Sequence, residues 1–184
     1  MSNKYLALLR GINVGGNNII KMDALKTAFE EMRFAGVKTY IQSGNVIFSA
    51  AENDKAKLTA KIEKQLSKKF GFEARVAVLT FDELRTAAAE IPPEFGQEPK
   101  EYRYDMWFLK EPAKPDDVMR CVKIREGVDR VYKGKKVIYA SRLNSMAGKS
   151  YLTKIIQEPV YQYMTIRGLN TTQKLLELMS RGET

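Results

Sequence analysis

Arg10, Asn13, Ser43, Asn45, Arg167 and Asn170 are the residues of this chain whose types and setting suit ligand chemistry. Each follows an apolar run or sits in a turn. Leu8 to Asn18 reads LLRGINVGGNN, Ser43 to Asn45 reads SGN, and Thr165 to Thr171 reads TIRGLNT. Arginine grips carboxylate or phosphate through a two-point fork, and asparagine and serine add neutral donors. Such a set can hold a small anion by orientation and electrostatics, without a metal. No two carboxylates stand out as an acid and base pair. Glu30-Glu31 and Asp116-Asp117 read as exposed helix positions.

The glycines of the first stretch imitate a phosphate loop without completing one. Gly11 and Gly16 have the four-residue gap of a G-x-x-x-x-G-K-[ST] motif, but Asn17 and Asn18 stand where its lysine and hydroxyl are needed. Ala147 to Ser150, AGKS, has the motif's end, with Leu143 in the place of its first glycine. The glycines at 11, 15 and 16 are accounted for by a strand exit with positive φ angles. Arg10 and Asn13 are not, and a loop is where function concentrates.

Absences narrow the chemistry further. The 184 residues include no histidine and one cysteine. Histidine-based nucleophile systems and histidine or thiolate metal sites are therefore excluded. No metal and no cofactor is expected. Cys121, beside Val118 and Val122 on an expected helix, reads as a small buried hydrophobe. A single cysteine fits a reducing cytoplasm, and no stretch is long and apolar enough for a membrane span.

The elements that must position these residues come in two rounds. Residues 5–12, YLALLRGI, form a run of strand length, and Met22, Leu25, Phe29 and Met32 fall at helical spacing. Two β-rich runs flank Ser43-Gly44-Asn45, a hairpin signal. Leu58, Ile62, Leu66 and Phe70 share one face of a helix whose other positions carry lysines 55, 57, 61, 64, 68 and 69, a solvated face. A strand precedes Thr80 and Glu83, which have capping-box spacing.

About ninety residues on, the plan returns: a strand at 102–109, a helix opening at Pro115 and a hairpin turning near Gly134. A shorter helix at 150–160, stopped by Pro159, a strand and a final helix follow. In that last helix Asn170 and Gln173 repeat the spacing of Thr80 and Glu83. The expected fold is α+β, a tandem duplication of ferredoxin-like βαββαβ halves with helices on one face of antiparallel sheets. Residues 1–91 form the first half, 92–101 a Pro-, Gly- and Glu-rich linker, and 102–184 the second half with its C-terminal helix.

Charge offers a competing reading. The chain carries +9, and ten of its cations fall between Arg120 and Lys154 against Glu126 and Asp129. With Tyr132, Tyr139 and Tyr151 interleaved, the segment suits a non-specific nucleic-acid binder through Arg130, Lys133, Lys135, Lys136, Arg142 and Lys149. An RNA-recognition motif is not spelled: Lys135 and Val137 sit where stacking rings belong, as do Asn45 and Ile47 in the first round.

LLRGINVGGNNIIKM, TYIQSGNVIF and MTIRGLNT together resemble the bacterial family called domain of unknown function 1697, over residues 3 to 180. The resemblance implies a duplicated ferredoxin-like protein and supplies no reaction. It marks Arg10, Gly11, Asn13, Gly15, Gly16, Thr39, Tyr40, Ser43, Gly44, Asn45, Thr165, Arg167, Asn170 and Thr171 as motif positions. Gly168 and Leu169 depart from the family's usual Asn-Trp. Residues and resemblance lead to one expectation: a cytoplasmic protein binding a small phosphate- or carboxylate-bearing ligand between its halves. The alternatives are nucleic acid and a metal-independent enzyme.

Overall fold

The computed structural model describes residues 3–181. The chain divides into two compact units, Met1–Leu84 with Glu177–Thr184, and Arg85–Leu176.

The first unit is a four-stranded antiparallel sheet with two helices on it. Strands β1 (Asn3–Leu9), β2 (Ala35–Tyr40), β3 (Asn45–Ala50) and β4 (Val76–Thr80) stand in the order β2-β3-β1-β4. β1 pairs with β3 and β4, Leu8 lying opposite both Asn45 and Ala77. Helices α1 (Met22–Glu31) and α2 (Lys55–Phe70) cover the face that carries Tyr5, Ala7, Leu9, Val46 and Phe48. Leu25 and Phe29 come down from α1, and Leu58, Ile62 and Leu66 from α2, all at most 1% exposed. Phe48 meets Tyr5, Phe29 and Phe34 at ring-centre distances of 5.6, 5.4 and 4.6 Å. Leu6 and Leu8, on the other face of β1, are buried too. A strand buried on both faces reads as a continuous apolar run, as YLALL does.

Local chemistry sets the helix ends. The Asp54 side chain caps α2 by accepting from the amides of Ala56 and Lys57. Gly71, at φ +74°, closes it, its N–H donating a hydrogen bond to Ser67 O. Thr80 and Glu83 form the expected capping box: Thr80 N–H donates to Glu83 Oε2 and Glu83 N–H to Thr80 Oγ1, at 3.0 and 3.1 Å. Helix α3 (Phe81–Ala89) starts there.

The second unit repeats the strand order. β5 (Tyr102–Leu109), β6 (Asp129–Lys133), β7 (Val137–Leu143) and β8 (Met164–Gly168) stand as β6-β7-β5-β8, so β5 takes the place of β1 and β7 that of β3. Helix α4 (Pro115–Cys121) buries Val118 against Trp107, Ile138, Ala140 and Met164. Cys121 packs half-buried at the edge of that cluster, and desolvation pushes its thiol pKa up.

Two expectations change here. The helix expected at 150–160 is absent. Three 3-10 segments occupy Asn144–Lys149, Leu152–Gln157 and Pro159–Tyr163, and Pro159 opens the third instead of ending a helix. Too few residues lie between Ser150 and Pro159 to offset helix nucleation, and Leu152 and Ile155 are buried without it. Asn170 is also not a cap. Helix α5 runs Leu169–Ser180, directly after β8, as α3 follows β4. Gly168 thus corresponds to Thr80, and Asn170 lies inside the first turn, exposed.

Residues 92–101, read as a linker, lie within the second unit, whose boundary falls after Leu84. Phe95, 5% exposed, packs edge-on against Tyr104 and Tyr139 at 4.8 and 5.6 Å between ring centres. Tyr139 donates its hydroxyl to the Ala87 carbonyl at 2.6 Å, and burial drives its pKa up.

Candidate functional site

In the first unit the loop 10–20 and the β2–β3 turn are pinned together. Asn13 donates its side-chain amide to the carbonyls of Ile20 (3.1 Å) and Gln42 (2.8 Å), and its Oδ1 accepts the Ile20 amide at 2.8 Å. Its backbone N–H donates to Asn18 O, while Asn18 Nδ2 donates to Gly11 O. Both amide hydrogens of Asn13 are thereby spent on the protein, and its work here is to close the loop and tie it to the turn. Asn13→Ala should therefore unfasten the loop more than the fold. We expect a loss of about 1–2 kcal/mol and faster hydrogen exchange at the Ile20 amide, with Leu6 unchanged.

Asn45 does the same for the turn from below. It is fully buried and donates to Tyr40 O at 2.8 Å and Ser43 Oγ at 2.9 Å. Gly44 O accepts the Leu9 amide at 2.8 Å, which docks the turn onto the end of β1. Arg10, half-buried, is the next residue, its N–H donating to Arg75 O at 2.9 Å. Arg10, Asn13, Ser43 and Asn45 thus come together, while Arg167 and Asn170 belong to the second unit.

The glycine pair is a turn. Val14 and Asn17 form an isolated antiparallel bridge, with Asn17 N–H donating to Val14 O, and Gly15 and Gly16 have φ of +58° and +78°. Two left-handed central residues are what a type I′ turn requires. The N–H groups of Gly11, Gly15 and Gly16, all exposed residues, find no partner among the described residues. Left-handed backbone is concentrated here: Gly11, Asn13, Gly15, Gly16, Asn18, Ile41 and Gly44 are seven of the twelve described residues with positive φ. Ile41, at φ +49°, is β-branched, for which that conformation is a genuine outlier. No sequence signal could have found it.

Arg167 lies on β8 opposite Met106 and is 7% exposed. It donates to Thr165 Oγ1 at 3.0 Å and Ile166 O at 2.8 Å. Burial lowers its pKa to about 10, so it stays cationic at neutral pH.

The residues considered for nucleic acid are largely engaged within their own unit. Lys133 pairs with Asp116 at 2.8 Å and Lys135 with Glu90 at 2.7 Å. Those lysines hold both carboxyls below the usual carboxylate range, chiefly through the side-chain hydrogen bond. Arg130 lies 4.3 Å over the Tyr102 ring, donates to its hydroxyl and reaches Glu98 at 3.6 Å. Arg142 is half-buried with its Nε shut from solvent, Lys136 is exposed at the β6–β7 turn, and Lys149 is exposed. Three acidic residues from outside 120–154 thus pair with three of the segment's cations. Ser150, the hydroxyl of the AGKS stretch, is buried and donates to Asp129 Oδ1 at 2.6 Å. Among the described residues no cluster of three or more Cys, Asp or Glu could hold a metal, and no helix is long and apolar enough to cross a membrane.

A protein-family model described as "Protein of unknown function (DUF1697)" matches residues 2–139. A solved structure described as a conserved bacterial protein, SP0830 from Streptococcus pneumoniae, is similar to this chain with a TM-score of 0.84 and 26% identity. The match covers 97% of this chain and 99% of that one. No curated protein matches. With three-quarters of its length under the family model, the chain belongs to the DUF1697 family.

Proposed function

We propose that this protein binds a small anionic ligand at the loop and turn of its first unit, with Arg10 as the anchoring cation. The supporting observation is the seven left-handed residues in two pinned segments, Ile41 among them. Strained backbone persists where surrounding structure over-determines it, and such residues cluster at binding sites. The exposed glycine amides beside Arg10 supply donors of the kind that hold phosphate or carboxylate oxygens. The matching strand orders support reading the two units as a duplication of a ferredoxin-like βαββαβ element. The single cysteine supports a reducing cytoplasmic setting.

The test is a titration with inorganic phosphate and with malonate, read from backbone amide signals. Signals of residues 10–18 and 41–45 should move. Arg10→Ala should weaken binding at least about tenfold, the loss of a charge-assisted contact. Arg167→Gln is the parallel arm in the second unit, and weakened binding there would extend the reading to Arg167 and Asn170. A wild-type protein whose loop signals stay still with both anions would end the proposal.

A further inference from the structure

A groove of about 530 Å³ runs between α1 and α2 in the first unit, away from the loop site. It is lined by Ala28, Glu31, Met32, Arg33, Lys61, Gln65, Lys68 and Lys69. Its volume lies in the range of small-molecule sites. Four cations face one carboxylate. We propose that this groove binds a soluble multi-phosphate anion.

The wall contributed by α2 follows from helical geometry. Lys61, Gln65, Lys68 and Lys69 stand at i, i+4, i+7 and i+8, a single stripe beside the buried Leu58, Ile62 and Leu66. In sequence these lysines are only part of a solvated face. The floor is apolar, from Ala28 and Met32, at 3% and 6% exposure. Lys61 is already positioned: its ammonium donates to Met32 O at 2.8 Å and stands 4.8 Å from the Phe34 ring centre. α1 has no basic residue in its own last turn, so Lys61 caps it from α2. That role accounts for Lys61 and leaves Arg33 and Lys68 unexplained. Neither side chain makes a hydrogen bond or ion pair among the described residues.

Arg33 is the second, independent observation. α1 ends in a Schellman motif: Phe34 N–H donates to Phe29 O, and Arg33 N–H to Glu30 O. The left-handed position of that motif normally takes glycine, and α2 ends on Gly71 at φ +74°. At α1 the position is given to Arg33, at φ +64°. A left-handed arginine is less stable than glycine there, and it places a guanidinium on the groove wall. Guanidinium with several ammonium groups suits phosphate oxygens better than a single carboxylate. Glu31 opposes the ligand directly and holds Lys69 in an ion pair.

Inorganic triphosphate is the probe, followed by calorimetry and by the amide signals of residues 31–34 and 61–69. Arg33→Gly should raise the melting temperature by roughly 2 °C and weaken triphosphate binding at least about tenfold. Lys68→Gln should weaken it comparably, while Lys57→Gln, on the same helix outside the groove, should change it less than twofold. Glu31→Gln should tighten binding several-fold by releasing Lys69. Arg10→Ala should leave the triphosphate-induced shifts of residues 31–34 and 61–69 unchanged, which separates this site from the loop site. The proposal is overturned if triphosphate does not bind, if citrate binds as tightly, or if Lys57→Gln matches Lys68→Gln. It is equally overturned if Arg33→Gly keeps full affinity or lowers the melting temperature, or if Arg10→Ala abolishes the shifts of residues 31–34 and 61–69.

Discussion

Gly44→Ala is expected to destabilise the protein by about 3–4 kcal/mol, combining left-handed strain with overpacking. Two costs meet at this residue. Its φ is +75°, a conformation alanine adopts poorly. A Cβ placed there would also stand 2.5 Å from Ile12 Cδ1 and 2.8 Å from Leu9 Cβ. Leu9 and Ile12 are 1% and 2% exposed, so neither has room to withdraw. Gly11→Ala separates the terms. Its φ is +66°, but a Cβ would meet nothing within 4 Å, so it should cost only about 1 kcal/mol from strain. Thermal melts should show a drop of roughly 10 °C for Gly44→Ala and about a third of that for Gly11→Ala. Equal drops would mean that the close approach is relieved by a shift of the turn. The site is affected as well, because Gly44 O holds the Leu9 amide and Arg10 is the next residue.

The order of elements is legible in the sequence where one residue type has one physical use. The Thr80-Glu83 pair announces a helix start, since its side chains can satisfy amides that the helix leaves open. The apolar run in β1 announces a strand. The Ser43-Gly44-Asn45 turn is legible for the same reason, as is the incompleteness of the motif begun by Gly11 and Gly16, where Asn17 and Asn18 replace the lysine and hydroxyl. Tertiary partners hide the rest. Asn170 has the right spacing for a cap, yet α5 begins one residue earlier, directly from β8. The charge of 120–154 looks unopposed only because Glu90, Glu98 and Asp116 lie elsewhere in the chain. Arg33 carries no sign of its left-handed conformation, since nothing about arginine favours it. A lysine stripe reads as a solvated face until Arg33 and the end of α1 supply the opposite wall.

Asp129→Ala should be the most damaging single change in the second unit, at about 3–5 kcal/mol. The carboxylate is 5% exposed and has three donors around it. Oδ1 accepts the Ser150 hydroxyl at 2.6 Å, and Oδ2 accepts the amides of Tyr151 and Arg125 at 2.8 and 2.9 Å. These bonds fix the junction between the first and second 3-10 segments to β6, in the region where sequence periodicity suggests a helix. Alanine leaves two backbone amides and a hydroxyl without the acceptor they share. Asparagine is milder, at about 1–2 kcal/mol. Its oxygen can stay with the two amides while its NH₂ faces Ser150 Oγ, since a hydroxyl can turn to accept. The ranking Ala worse than Asn is therefore the signature of an acceptor role. Hydrogen exchange at Tyr151 and Arg125 should quicken in both variants, most in Asp129→Ala, while Ile62 in the first unit keeps its protection. If alanine and asparagine proved equally damaging, the negative charge itself would be what the site requires, and the three-donor account would fail.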